Sequence, residues 1–304
     1  MTAAGTVTAV DLVACVLATT VRATIGAVTS AGRMIKFSVL EVPAITPGAG
    51  GGPPGLGATA AGLSGGHPVE EFVPGLAHGE TVLALAPLDG PEAGGVALGT
   101  ASGVVKRVQP DYPANRDEFE LITLKDDDRV VGAAYLAGDD AELVFITSDA
   151  QLLRFPAASV RPQGRPAAGM AGIRLDGAAT VVWFGAIGTA ASAASGPGAG
   201  DPGLVVVTVA GRSGALPGTG GASVKVTPFA EYPAKGRATG GVRCQRFLKG
   251  EDGLIQAWIG PAPVVGVTES GVIVDLTAMT GRRDGSGNAI TRQLAHLGTP
   301  FGLR

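Results

Sequence analysis

A stretch in the middle of the chain alternates apolar runs with polar breaks and sets the pattern for the whole sequence. Residues 143–146 (LVFI) form an apolar run of the length of a buried strand, and residues 147–149 (TSD) have the small, turn-forming types of a hairpin. Residues 152–155 (LLRF) then predict the return strand, with Arg154 on the opposite face from its neighbours. A basic loop follows at residues 161–165, and residues 172–175 predict a further short strand. Hairpin, basic loop and strand therefore form one unit.

The same unit recurs along the chain, and each copy contains a threonine, a tight turn and an alternating strand. The turns begin at Thr29, Thr100, Thr147, Thr208 and Thr268. Spacings of roughly 45 to 70 residues suit propeller-like arrays, in which one small sheet cannot bury both of its faces alone. We therefore expect an all-β fold: a propeller-like ring of about five to six four-stranded sheets with Gly-rich loop insertions.

No clean linker separates the repeats, so residues 1–304 are expected to form a single domain. The predicted units are a partial copy and five full copies, at approximately 1–28, 29–92, 93–140, 141–186, 204–260 and 264–298. Gly-rich segments interrupt the pattern as insertions at 47–66, 185–203 and 211–221.

Composition fits a turn-rich β protein, because 49 Gly and 21 Pro accompany a hydrophobic content of 45%. No run reaches the roughly 18 apolar residues of a membrane span. No basic residue precedes the apolar stretch at 12–21, as a signal peptide would require. A cytoplasmic protein with no membrane partner is expected. Cys15 and Cys244 are interpreted as two buried free thiols, with a disulfide as the open alternative.

Charge is distributed unevenly along the chain. The net charge is −3 and the sequence pI is about 5.7, which is not typical of a nucleic-acid-binding domain. However, residues 1–99 have three basic and seven acidic side chains, whereas residues 204–304 have eleven basic and six acidic ones. A positive field confined to one part of a surface can attract a polyanion even when the total is negative.

Two basic loops carry a resemblance to a known family. They are residues 160–165 (VRPQGR), continuing to 172–175 (GIRL), and residues 231–242 (EYPAKGRATGGV); residues 29–43 add a weaker match. Here the sequence resembles the C-terminal domain of the A subunits of DNA gyrase and topoisomerase IV. The resemblance covers nearly the whole chain. It implies a β-pinwheel, a propeller-like ring that bends duplex DNA around its basic outer rim.

Two departures from that family pattern bear on function. The heptapeptide of the Gln-Arg-Arg-Gly-Gly-Lys-Gly type, which gyrase uses for strong wrapping, does not occur, and residues 243–247 (RCQRF) are the nearest string. The DNA-cleaving tyrosine domain of the family is also absent. The resemblance therefore implies a non-catalytic, DNA-bending domain of a type IIA topoisomerase that does not cut DNA alone.

The expected partners are duplex DNA, bound through its phosphates, and the ATPase B subunit together with the catalytic part of the A subunit, in a nucleoid-associated holoenzyme. No catalytic residue, metal ligand or cofactor is predicted. The candidate DNA contacts are Arg33, Lys36, Lys106, Arg107, Arg154, Arg161, Arg165, Lys225, Lys235, Arg237, Arg282 and Arg283. The alternatives are that these are ordinary solvated charges, or that the chain is a protein-interaction scaffold without DNA affinity.

Overall fold

The computed structural model describes residues 12, 14–43, 67–88, 95–188, 203–214 and 221–299. Short β-strands are the main regular secondary structure of these residues. The strands of the first half are β1 (Thr24–Thr29), β2 (Arg33–Ser38), β3 (Val82–Pro87), β4 (Gly95–Thr100), β5 (Val104–Val108), β6 (Glu118–Glu120), β7 (Val130–Leu136), β8 (Glu142–Thr147), β9 (Gln151–Pro156), β10 (Pro162–Gln163) and β11 (Met170–Ala171). Those of the second half are β12 (Val181–Ile187), β13 (Leu204–Gly211), β14 (Ala222–Pro228), β15 (Val242–Arg243), β16 (Gly253–Pro261), β17 (Val265–Val267), β18 (Ile273–Asp275), β19 (Asn288–Ile290) and β20 (His296–Gly298). Single turns of 3-10 helix lie at Val39–Glu41, Val69–Glu71, Ala157–Ser159 and Phe229–Glu231.

The strands form five sheets with one repeated order. The sheets are β3-β1-β2-β6, β7-β4-β5-β10 with β11 also on β5, β12-β8-β9-β15, β16-β13-β14-β19 and β20-β17-β18. A hairpin of consecutive strands occupies the centre of each of the first four sheets. Among the named strands of the described residues, all pairings are antiparallel except that of β10 with β5. The all-β, β-pinwheel prediction is confirmed.

The sheets stack in chain order through one strand from each. Contacts join β3 to β7, β7 to β12, β12 to β16 and β16 to β20, so these strands line a common inner side. At the two ends of the array, Leu12 lies against Gly298 of β20, and Leu17 packs against the core of the first sheet. The N-terminal segment therefore connects the fifth sheet with the first.

The apolar runs predicted from sequence are long because each sheet is buried on both faces. Residues 143–146 are all fully buried in β8. On one face the ring of Phe145 lies 4.7 Å, centroid to centroid, from that of Phe184 in β12. On the other, Val144 and Ile146 belong to the core shared with the fourth sheet.

The outermost strand of each of the first four sheets comes from the following repeat. β6 follows the β4–β5 hairpin in the chain but pairs back onto β2 of the first sheet. In the same way β10 and β11 pair with β5, β15 with β9, and β19 with β14. Each repeat therefore completes the sheet of the repeat before it.

The recurring threonine has a structural role at every hairpin where its contact is seen. The buried Thr100 hydroxyl oxygen accepts from the N–H of Val104 at 3.2 Å, and Thr147 accepts from Gln151 at 3.0 Å. Thr268 accepts in the same way from Val272 at 3.0 Å. A buried hydroxyl that satisfies the first N–H of the return strand fixes the turn.

Three details differ from the sequence predictions. The strand predicted at 172–175 lies instead at β11, because residues 172 and 173 both donate to the Gly103 carbonyl. The strand-like segment before Thr29 is β1, the first strand of the first hairpin, rather than part of a separate copy. Cys244 is buried but Cys15 is exposed, and both are free.

The Gly-rich segments fall mostly outside the described residues: 47–66 entirely, 185–203 and 211–221 in large part.

Candidate nucleic-acid interface

Four segments, here called the outer segments, contain the strands exchanged between repeats: residues 111–123, 161–175, 232–246 and 280–290. Consecutive outer segments touch each other. The Thr123 hydroxyl donates to the Pro166 carbonyl at 3.0 Å, and the Ala238 N–H donates to the Gly172 carbonyl at 2.7 Å. The third and fourth segments meet where the N–H of residue 246 donates to the carbonyl of residue 285 at 3.0 Å. The outer segments therefore form one continuous surface along the edge of the array.

Arg165 and Arg237 occupy equivalent positions on this surface. The N–H of Gly172 donates to the turn carbonyl of Gly103, and the N–H of Cys244 donates to the turn carbonyl of residue 150, both at 2.8 Å. These two N–H groups anchor their segments to the turns. Arg165 precedes Gly172 by the same number of residues as Arg237 precedes Cys244. Arg161 and Lys235, which also belong to these two loops, lie at different distances along the chain from the anchor.

Arg283 is the third member of this set. The carbonyls of Arg283 and Gly285 accept from the Lys225 ammonium at 2.6 and 3.1 Å. The carbonyls of Arg165 and Ala167 accept from Lys106 in the same pattern, at 2.7 and 2.6 Å. Three consecutive outer segments therefore present an arginine at the same place.

Each arginine of the set reaches back to the preceding outer segment. The Arg165 guanidinium lies 5.3 Å from the centroid of the Phe119 ring. Arg237 donates to the Ala171 carbonyl, and Arg283 donates to the Arg243 carbonyl at 3.2 Å. A guanidinium has five N–H donors, so these contacts orient the group and leave donors for an anion.

The charge of the outer segments changes sign along the array. The first has one basic side chain and four acidic ones, whereas the second has three basic and none acidic. The third has four basic and none acidic, and the fourth has two basic and one acidic. A positive field therefore extends over three neighbouring outer segments.

Lys106 and Lys225 do not belong to that field, which corrects the sequence prediction for both. Their side chains are fully buried. Lys106 donates to the carbonyls of Leu121, Arg165 and Ala167, and Lys225 donates to those of Cys244, Arg282, Arg283 and Gly285. Burial lowers the pKa of each lysine to about 8. Both therefore hold the outer segments in place and cannot reach a phosphate.

Arg33 and Lys36, on the first return strand, are also engaged within the protein. Arg33 donates to Glu80 at 2.5 and 2.8 Å and to Glu118 at 2.6 Å. This contact holds the pKa of the Glu80 carboxyl at about 2. Lys36 donates to the Pro113 carbonyl of the first outer segment.

Arg107 and Arg154 have similar internal contacts. Arg107 pairs with Asp139 and donates to the carbonyls of residues 157 and 160 at 3.0 and 3.2 Å. Arg154 lies 3.3 Å from Glu142, and its guanidinium stacks over the ring of Phe229 at 4.7 Å. Both guanidinium groups are mostly buried, with 11% and 19% of their side-chain surface exposed. The cations of the return strands therefore act mainly as internal contacts.

The comparisons with known proteins agree with this architecture. A family model described as the DNA gyrase C-terminal domain, beta-propeller, matches residues 27–51, 120–136, 141–187 and 218–257. The chain is similar to this family of gyrase A C-terminal domains. The A subunit of DNA gyrase from Escherichia coli K12 is 29% identical over 216 residues, which cover 70% of this chain and 20% of that protein. The chain thus spans about a fifth of the length of that relative.

Other relatives and solved structures give the same result. The A subunit of DNA gyrase from Chlamydia trachomatis is 32% identical over 113 residues, covering 36% of this chain and 14% of that protein. The crystal structure of the C-terminal domain of DNA topoisomerase IV matches with a TM-score of 0.65 at 20% identity, covering 91% of this chain and 79% of that one. The DNA gyrase A C-terminal domain matches with a TM-score of 0.59 at 15% identity, covering 93% and 84%.

In this domain, Arg161, Lys235 and Arg282 are the exposed members of the predicted set, and all three lie on outer segments. Sequence reasoning missed four further exposed cations on the outer segments. Arg174 and Arg246 recur at one position, each two residues after the anchoring N–H, while Arg243 lies on β15 and Arg116 on the first segment. The repeated spacing of Arg174 and Arg246 was the available signal. No helix in the described ranges is long and apolar enough to span a membrane.

Proposed function

We propose that this domain binds duplex DNA along its second, third and fourth outer segments and bends it around the edge of the array. The supporting observation is that these three segments are contiguous and have nine basic side chains and one acidic one. Cations on consecutive segments can contact successive phosphates of a curved duplex. The contacts are with the backbone, so binding is independent of sequence.

The loops of the second and third segments leave room for a phosphate. A Cβ built on Gly236 meets no atom within 4 Å, and one on Gly164 meets only the Pro166 ring at 3.9 Å. Both glycines directly precede the repeated arginines, Arg165 and Arg237. Open backbone beside an oriented guanidinium is a suitable arrangement for a phosphate.

Within a type IIA topoisomerase the domain would be a non-catalytic module. It would present a bent DNA segment to the DNA-cleaving part of the A subunit for strand passage, in an ATP-dependent holoenzyme with the B subunit. That function places the domain with the nucleoid in the cytoplasm.

The test is duplex binding between 50 and 200 mM salt, the range over which phosphate contacts lose roughly 10³-fold or more in affinity. The variant R161E/K235E/R282E reverses one exposed cation on each of the three segments. The control R22E/K125E/R212E reverses three exposed cations outside them. We expect the first variant to lose most of the wild-type affinity and the control to keep most of it. Equal losses would contradict the assignment of the interface.

A protein-interaction scaffold is the second candidate, and the acidic first outer segment favours it. This function predicts no duplex affinity for the wild-type domain at either salt concentration. The same titration therefore separates the two candidates before any variant is made.

A further inference from the structure

The first outer segment differs from the others at positions that the fold makes equivalent. The N–H of Leu121 donates to the Gly32 turn carbonyl at 2.8 Å, just as that of Cys244 donates to its own turn. Glu120 and Arg243 each directly precede the residue with the anchoring N–H, so they occupy equivalent positions in the first and third segments. The strand pairing agrees, because Glu120 pairs with residue 33 and Arg243 with residue 151, each the fourth residue after its turn threonine.

Counting back from the same anchoring N–H shows that the repeated arginine is missing from the first segment. Ala114 occupies the position of Arg165 and Arg237. Glu118 occupies the position at which the second and third segments have glycine, Gly169 and Gly241. The first segment thus has a carboxylate where the third has Arg243, and it has no charge at the position of the repeated arginine.

These carboxylates lie on the outer edge of the first sheet. Glu118 and Glu120 are exposed on either side of the buried Phe119 of β6. The neighbouring Arg33 pairs both with Glu118 and with Glu80, whose side chain is 4% exposed, so these three side chains together keep one net negative charge and Glu120 adds a second. The outer edge therefore changes from basic to acidic where the second segment meets the first.

We propose that the first outer segment ends the DNA track: the duplex contacts the second to fourth segments and is repelled from the surface at Glu118 and Glu120. This inference rests on the proposed DNA binding. Phosphates and exposed carboxylates repel each other, and a carboxylate releases no counterions from DNA. The domain would hold a short arc of duplex rather than a path along the entire edge.

The test is E120R, which gives the first segment the residue found at the same position in the third. The matched control is E269R, an equal charge change at an exposed residue in the turn of the fifth hairpin. Affinity for random-sequence duplexes of increasing length is measured over a series of salt concentrations. Thermal unfolding of both variants establishes that they are folded.

We expect E120R to steepen the salt dependence by about one phosphate contact, a slope change of about 0.9, and to lengthen the duplex at which affinity stops rising. E269R should leave both quantities at the wild-type values. A double variant, A114R/E120R, restores the repeated arginine as well and should increase both effects.

Two outcomes would overturn the inference in distinguishable ways. If wild-type binding is salt-dependent but E120R matches E269R in slope and limiting length, the track does not end at the first segment and the proposed DNA binding stands. If the wild-type domain has no duplex affinity, the proposed function and this inference both fail.

Discussion

The ammonium nitrogen of Lys225 lies 2.5 Å from the carbonyl oxygen of Cys244, and this contact ties the third outer segment to the hairpin of the fourth sheet. The same ammonium binds carbonyls of the fourth outer segment. Lys106 joins the first and second outer segments in the same way, through Leu121 and Arg165. A buried cation with three or four carbonyl partners thus links consecutive repeats.

Replacing Lys225 with Met should destabilise the fold rather than weaken phosphate binding directly. The substitution leaves four buried or partly buried carbonyls without their donor, which costs about 3 kcal/mol of unfolding free energy. Urea unfolding measures the loss. The exposed Lys249→Met is the control and should change the unfolding free energy by less than about 0.5 kcal/mol. Comparable stability of the two variants would show that the carbonyl cage contributes little.

Substituting alanine at the turn glycines should separate the stability that comes from the packed outer segment from the stability that comes from the turn conformation. Gly103 and Gly271 both have positive φ, +83° and +78°, so alanine costs about 1 kcal/mol or more at either position. At Gly103 the added Cβ would also lie 2.8 Å from the Ile173 carbonyl of the outer segment, whereas at Gly271 it meets nothing within 4 Å. G103A should therefore lose more unfolding free energy than G271A. Equal losses would mean that the outer segment adjusts freely.

Acid should destabilise the first sheet through Glu80. Arg33 holds the pKa of Glu80 at about 2, below the ordinary value of 4.5. The ionised carboxylate therefore contributes stability that is present above about pH 4.5 and is lost as the pH falls toward 2. Glu80→Gln should be less stable than wild type at pH 7, and this difference should shrink between pH 4.5 and 2. The measurement is the unfolding free energy across that pH range. The exposed control E70Q should show the same pH dependence as the wild type.

The three equivalent arginines should each contribute to DNA binding by a similar amount. Alanine at Arg165, Arg237 or Arg283 should lower the magnitude of the salt slope by about 0.9, because each removes one phosphate contact. Each should also cost about 1 kcal/mol of stability from the lost contact to the preceding segment. Arg212→Ala, an exposed substitution outside the outer segments, should leave the slope unchanged. A slope that changes for only one of the three would argue against a track over three segments.

The sheets could be predicted from the sequence because their central hairpins leave a strong local pattern. A strand buried on both faces is an uninterrupted apolar run, as at residues 143–146, and each turn repeats a buried threonine. The strand exchange leaves almost no such pattern. β10, β11 and β15 have two residues each, too few for a period, and their partners belong to the preceding repeat.

The candidate site was predicted only in part, for a related reason. A lysine among apolar neighbours can face either solvent or a cage of carbonyls. The sequence around Lys106 and Lys225 does not distinguish these two environments. Arg161, Lys235 and Arg282 are exposed as expected because they lie in loops. The equivalence of Arg283 to Arg165 becomes visible only through the shared carbonyl pattern on the two lysines.

The exchange of outer strands has a consequence for folding of the nascent chain during translation. A ribosome releases the β1–β2 hairpin well before β6, so the first sheet stays incomplete until most of the second repeat has emerged. The second, third and fourth sheets are likewise completed only by a strand of the repeat that follows them. A nascent chain stalled inside any repeat therefore exposes an unpaired edge on the sheet before it, where a chaperone or a second nascent chain can bind.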